Sequence, residues 1–88
     1  MVAANSEEVL LGRVTHYFSH LGVGVIELTD GDLSVGDLIH ITGKHTDFTQ
    51  AVGSIQIEHK SMSHAEKGET VAIKVEEKVR EHDQVFRV

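Results

Sequence analysis

The stretch Gly22-Val23-Gly24-Val25-Ile26-Glu27-Leu28-Thr29-Asp30-Gly31 decides the fold class. β-branched side chains at Val23, Val25 and Ile26, followed by Leu28, fit a pleated and half-buried surface, and Asp30-Gly31 is a turn signal. The run therefore predicts a strand that ends in a turn. Downstream, Leu38, Ile39 and Ile41 form a second such segment between Gly36-Asp37 and Gly43. Residues 48–58 predict one long strand, in which Ile55 and Ile57 alternate with Gln56 and Gly53 invites a bulge. Val71, Ile73 and Val75 alternate strictly with Ala72 and Lys74, and residues 84–88 place Phe86 and Val88 on one face with Val85 and Arg87 on the other. Upstream, residues 9–18 predict an opening strand.

Helical period is nearly absent. The only candidates are Ser63 to Lys67, ended by Gly68, and a charged turn from Glu76 to Glu81. About six strands separated by turn signals at roughly 8 to 12 residue spacing predict an all-β chain. Its expected form is a single small antiparallel β-barrel of six or slightly more strands, closed because closure removes exposed edges. The barrel is expected over residues 8–88, with residues 1–7 frayed.

The chain has 88 residues, 40% hydrophobic and 25% charged, with no Cys and no Pro, so one modest core must form without disulfides. No apolar run is long enough for a membrane helix, and Met1 to Glu8 has neither a basic nor an apolar leader segment. With cysteine absent, the expected compartment is the cytoplasm. Eight basic against fourteen acidic residues give −6, and the basic residues are dispersed along the sequence, which argues against free-standing nucleic-acid binding. Seven histidines are the unusual component. Protonating all of them would move the formal charge from −6 to +1, so surface charge is expected to change between about pH 7 and 5.

Three phrases then carry a resemblance: Gly12-Arg13-Val14-Thr15, the run Leu33-Ser34-Val35-Gly36-Asp37-Leu38-Ile39-His40-Ile41-Thr42-Gly43, and Ala65-Glu66-Lys67-Gly68-Glu69-Thr70-Val71-Ala72-Ile73. In this order they resemble the translation-protein β-barrel, the second domain of elongation factor Tu and its relatives, over about residues 8 to 88. A closer likeness, carried by Val14-Thr15-His16-Tyr17-Phe18, Thr46-Asp47-Phe48-Thr49-Gln50 and Ile57-Glu58-His59, is to the small barrel appended to collagenase-like peptidases, which also occurs as a free-standing elongation-factor-like protein. Gly53 and His82 depart from that pattern. The resemblance implies a translation-type barrel acting as a binding module, and fold alone does not carry the function.

Nucleotide hydrolysis finds no support in the residues. Gly43-Lys44 is followed by His45 and preceded five positions earlier by Leu38 where a phosphate-binding loop needs glycine, and Gly22-Val23-Gly24 has Glu27 in place of the third glycine of a dinucleotide fingerprint. His16 and His20, His40 and His45, and His59 and His64 form pairs, but a metal site needs three or four ligands and nothing nearby completes one. No metal and no cofactor is therefore expected, with histidine metal binding as a weaker alternative. No nucleophile stands beside an evident base, so the chain is expected to be non-enzymatic.

Two segments are candidate contact surfaces. Thr46-Asp47-Phe48-Thr49-Gln50 offers hydroxyls, a carboxylate, an amide and a ring, a mixture able to recognise a partner or an unstacked base. Its alternative reading is a turn in which Asp47 caps its own backbone and Phe48 enters the core. Of Tyr17 and Phe18 one ring points inward and one outward, and the outward ring would join His16 and His59 in a polar-aromatic patch. The candidate binding residues are thus His16, Tyr17, Thr46, Asp47, Phe48, Gln50 and His59. The expected function is docking of a protein partner in translation-related or RNA-modifying machinery, with direct RNA or tRNA binding as the alternative.

Overall fold

The computed structural model describes residues 8–88, so the expectation for residues 1–7 lies outside it. The described residues form ten strands: β1 Val9–Phe18, β2 Val23–Glu27, β3 Leu33–Ser34, β4 Leu38–Thr42, β5 Asp47–Ala51, β6 Ile55–Ile57, β7 Lys60–Met62, β8 His64–Ala65, β9 Thr70–Lys74 and β10 Gln84–Arg87. Eight of them share an antiparallel sheet in the order β5-β4-β10-β1-β2-β9-β6-β7, and β3 pairs with β8 apart from it. The all-β expectation holds. The two helical candidates do not: residues 63–67 contain β8 and part of a turn, and residues 76–81 are irregular, with no helical turn.

The closed barrel is also corrected, because the ladder ends at β5 on one side and β7 on the other. Yet β5 and β6, near opposite ends of the order, are separated by only residues 52–54. Four virtual bonds reach at most about 14 Å, so the sheet has to roll until its two ends approach. The expected long strand over 48–58 breaks at this crossing. Val52 is buried, and its N–H donates to the Asp37 carbonyl while its own carbonyl accepts from Gly36 N–H. Its backbone is therefore committed to the turn before β4 and cannot continue one ladder. Across the remaining gap the Gln50 amide donates to the Lys74 carbonyl at 2.9 Å and accepts from Glu76 N–H at 2.7 Å. A side chain bridges where a barrel would have a ladder.

The inner face of the roll carries Leu11, Val14, Ile26, Ile41, Ile73 and Val85, all at most 1% exposed. Two bulges in β1 set which residues reach it. The register against β10 slips between Leu10 and Gly12, and that against β2 slips between Val14 and His16. Gly12 is crowded by β2: a Cβ there would collide with the Glu27 carbonyl.

Three turns follow one plan. In Ser34-Val35-Gly36-Asp37, Glu66-Lys67-Gly68-Glu69 and Arg80-Glu81-His82-Asp83, the fourth N–H donates to the first carbonyl at 3.0, 3.0 and 3.1 Å. In each the fourth side chain's carboxylate accepts from the first residue's N–H, at 2.9, 2.7 and 2.9 Å. The third residue has positive φ, 97° at Gly36, 99° at Gly68 and 77° at His82. This is the type II arrangement, in which the third position favours glycine. Asp83 is buried in its role in the third of them.

Candidate functional site

The outer face of β2, β9 and β6 forms an apolar cleft of about 830 Å³. Its floor follows from the register. His16 pairs with Val25, Val25 with Ala72, and Ala72 with Gln56, while Phe18 pairs with Val23. Antiparallel partners share a face, so these side chains lie in rows across the outside of the sheet. Phe18 and Leu21 stand together at the cleft with 45% and 61% of their surfaces exposed. Phe18 carries the His16 ring at a centroid distance of 4.5 Å.

The bulge at Thr15 makes this arrangement. With Val14 facing the core, unbroken alternation would send Tyr17 outward and Phe18 inward. One extra residue inverts the order after it. His16 and Phe18 therefore face out, and Tyr17 packs against the core. Of the two rings the outward one is Phe18, with His16 beside it, and the candidate Tyr17 is turned toward the core.

The tip of the β6–β7 hairpin overhangs the cleft with Glu58 and His59. Ile57 pairs with Lys60, so these two residues are the whole turn, and both have positive φ, 52° and 68°. A two-residue turn of this hand is normally supplied by Asn-Gly, because other side chains are strained there. Glu69 and Thr70 line the cleft from β9 and the turn before it.

The other candidate residues are distributed differently. Thr46 is 6% exposed, its carbonyl accepting from Gly43 N–H at 2.8 Å to close the β4–β5 hairpin. Phe48 packs against the core, and Gln50 is the bridge described above. Asp47 faces out and takes His40 instead of capping its own backbone, with His40 Nε2 2.6 Å from Asp47 Oδ1. The segment thus alternates between the two faces, with Thr46, Phe48 and Gln50 inward, and is not one surface. His59 reaches the outer cleft, and His16 stands beside it on Phe18.

Side-chain clusters invisible in the sequence also appear. His40 lies between Asp47 and Glu8, whose carboxylate is 3.0 Å from Nδ1. The hydrogen bond with Asp47 raises the His40 pKa above its usual value, burial opposes it, and Glu8 adds to the rise. Ser34 Oγ lies 2.7 Å from His64 Nδ1, and Asp32 is 3.5 Å from His64 Nε2. The N–H groups of Ser34, Val35 and Gly36 already donate to Asp37, Ser63 and Val52, so none is left to hold an oxyanion beside Ser34. That cluster ties β3 to β8. Among the described residues no three His, Asp or Glu side chains converge as metal ligands, and no helix is long and apolar enough to cross a membrane.

Fold and cleft define a small all-β domain with an apolar outer-face groove. The chain is 39% identical over 85 residues to a Porphyromonas gingivalis protein named collagenase, covering 96% of this chain and 20% of that one. It is 40% identical over 85 residues to an uncharacterized protease of Methanocaldococcus jannaschii, covering 96% and 21%. The chain thus spans about a fifth of the length of the curated relatives it matches. Among solved structures it is similar to the C-terminal domain of a Geobacillus thermoleovorans protein assigned to the U32 peptidases, with a TM-score of 0.82, 19% identity and 94% of both chains covered. No family model matches. These relatives carry the collagenase-like half of the resemblance and do not carry its elongation-factor half. They also correct the expectation of a non-enzymatic chain, since the proteins it resembles are named as proteases.

Proposed function

We propose that this chain works as the accessory domain of a collagenase-like protease and docks a polypeptide in the outer-face cleft beside Phe18. The observation that supports this reading is the cleft itself: apolar in its floor, open to solvent and walled by two exposed large side chains. Apolar grooves with a few polar groups at the rim are the usual form of recognition sites. A protease whose active site lies elsewhere gains from a second contact, because tethering raises the effective concentration of substrate. The docked polypeptide is then the protein partner, and protein degradation is the setting.

The test is fluorescence anisotropy with labelled fragments of gelatin and casein. Phe18→Ser and Leu21→Ser should each weaken binding about tenfold, the loss expected of an exposed apolar anchor. Equal affinities in wild type and both variants would overturn the reading.

One observation favours RNA as a second reading. Lys44, His45, Arg80 and His82, far apart in sequence, line a separate cleft of about 400 Å³, although Glu81 and Asp83 share it. Its signature would be an affinity for RNA that falls steeply with salt and is weakened by Lys44→Ala and Arg80→Ala.

A further inference from the structure

We infer that the occupant of the outer-face cleft is a short extended polypeptide segment whose large apolar side chain is flanked by Lys or Arg. This rests on the docking reading above and adds the chemistry of the partner. The charges around the cleft carry the argument. Glu58 and Glu69 line it from two separate elements, and no Lys or Arg is among its lining residues. Glu58 has no ion-pair partner among the described residues, and Glu69 engages only one oxygen, Oε1, with Glu66 N–H at 2.7 Å. Of the nearby cations, Lys74 Nζ donates to the Leu21 carbonyl at 3.0 Å and Arg13 pairs with Glu27 at 3.2 Å, while Lys60 and Lys67, beside the hairpin tip and in the turn before β9, are exposed and form no ion pair with Glu58 or Glu69 among the described residues. His59 is the remaining titratable lining group. Apolar walls beside carboxylates that form no ion pair, with no cation lining the cleft itself, favour a positive group on a docked chain.

The hairpin tip supplies a second line of argument. Positive φ at two successive non-glycine residues is strained, and Asn-Gly would avoid most of that strain. Glu58 and His59 nevertheless occupy that position over the cleft. Strain retained at a solvent-facing site points to a role for the side chains themselves. An extended occupant fits the floor, which crosses from Val25 through Ala72 to Gln56. Those two interstrand steps span about 10 Å, the length of roughly three extended residues. One apolar side chain can then meet Phe18 and Leu21 while its neighbours reach Glu58 and Glu69.

Three labelled twelve-residue peptides test this: a Phe-Leu centre flanked by Lys and Arg, the same centre flanked by Glu, and Ser-Ser at the centre with basic flanks. The basic-flanked apolar peptide should bind three- to tenfold more tightly than the acidic one at low salt, about the yield of two exposed ion pairs. The gap should close as salt is added. Glu58→Gln should narrow it without moving the urea midpoint, and Glu69→Gln, whose amide oxygen can still accept from Glu66 N–H, should narrow it as well. The double change Glu58→Asn with His59→Gly should narrow it while raising stability, which separates lost charge from lost fold. Equal or tighter binding of the acidic peptide overturns the partner chemistry and leaves docking intact. Binding of both apolar peptides that is indifferent to Phe18→Ser overturns docking itself.

Discussion

The side-chain amide of Gln50 donates to the main-chain carbonyl of Lys74 at 2.9 Å, joining β5 to β9 where no strand ladder runs. Gln50 is 5% exposed, and its oxygen simultaneously accepts from Glu76 N–H. Gln50→Leu keeps the volume and leaves two main-chain groups without partners. Each such loss costs about 1–3 kcal/mol, so the variant should be destabilised by roughly 2–4 kcal/mol in urea unfolding. A change below about 0.5 kcal/mol, the range of ordinary surface substitutions, would show that the seam is held by something else.

His40 gives the chain a pH-dependent clamp. Its folded pKa is raised above the ordinary 6.5, first through Asp47 and then through Glu8, against an opposing effect of burial. A raised pKa means that the folded chain holds the proton more tightly than the unfolded one. The stabilisation is fully present below about pH 6.5 and is lost as pH rises through the higher folded value. The difference in urea midpoint between wild type and His40→Gln should therefore shrink from pH 6 to pH 9. Asp47→Asn should remove most of that slope, and a difference that grows with pH would reverse the assignment.

At the left-handed third position of the three matching turns, His82 stands where the other two have glycine. Relief of about 1–2 kcal/mol of left-handed strain, less the 0.4–1 kcal/mol by which glycine loosens the unfolded chain, predicts that His82→Gly stabilises by about 0.5–1 kcal/mol. Gly36→Ala and Gly68→Ala should shift stability the other way. Thermal unfolding of the three variants under one buffer condition would check the signs.

Gly12 and Gly53 make a contrasting pair. Alanine at Gly12 drives a methyl group into the Glu27 carbonyl, which only a displacement of β1 from β2 relieves. Its cost should exceed 3 kcal/mol, in the range of severe overpacking, whereas Gly53→Ala enters open space and should be neutral or stabilising by up to about 1 kcal/mol. Circular dichroism melts of both variants decide the comparison.

The long alternating segments were legible because their patterning is local. Residues 9–18 are expected as a strand and form β1 with those bounds, and the strands around Val25, Ile41, Ile73 and Val85 lie within a residue or two of expectation. β3, β7 and β8 were not legible, since two or three residues such as Leu33 and Ser34 become a strand only when the fold brings Ala65 and His64 opposite them. The break at Val52 depends on the distant Gly36-Asp37 turn in the same way. At the cleft, His16 and His59 could be read as polar neighbours of an exposed ring. The choice of Phe18 over Tyr17 rests on a one-residue bulge at Thr15, and nothing in local alternation announces it.

The place of β10 between β4 and β1 has a consequence for how the chain comes into being. The strand made last is the keystone of the sheet: before residues 84–87 emerge from the ribosome, β4 with β5 and β1 with β2, β9, β6 and β7 are two pieces without a common edge. Val85, fully buried, is missing from the core until then. Pairings as distant as Leu10 with Phe86 also make for slow folding. Assembly of this domain therefore waits for its final strand, and a nascent chain stalled just short of it would expose two unpaired edges to its neighbours.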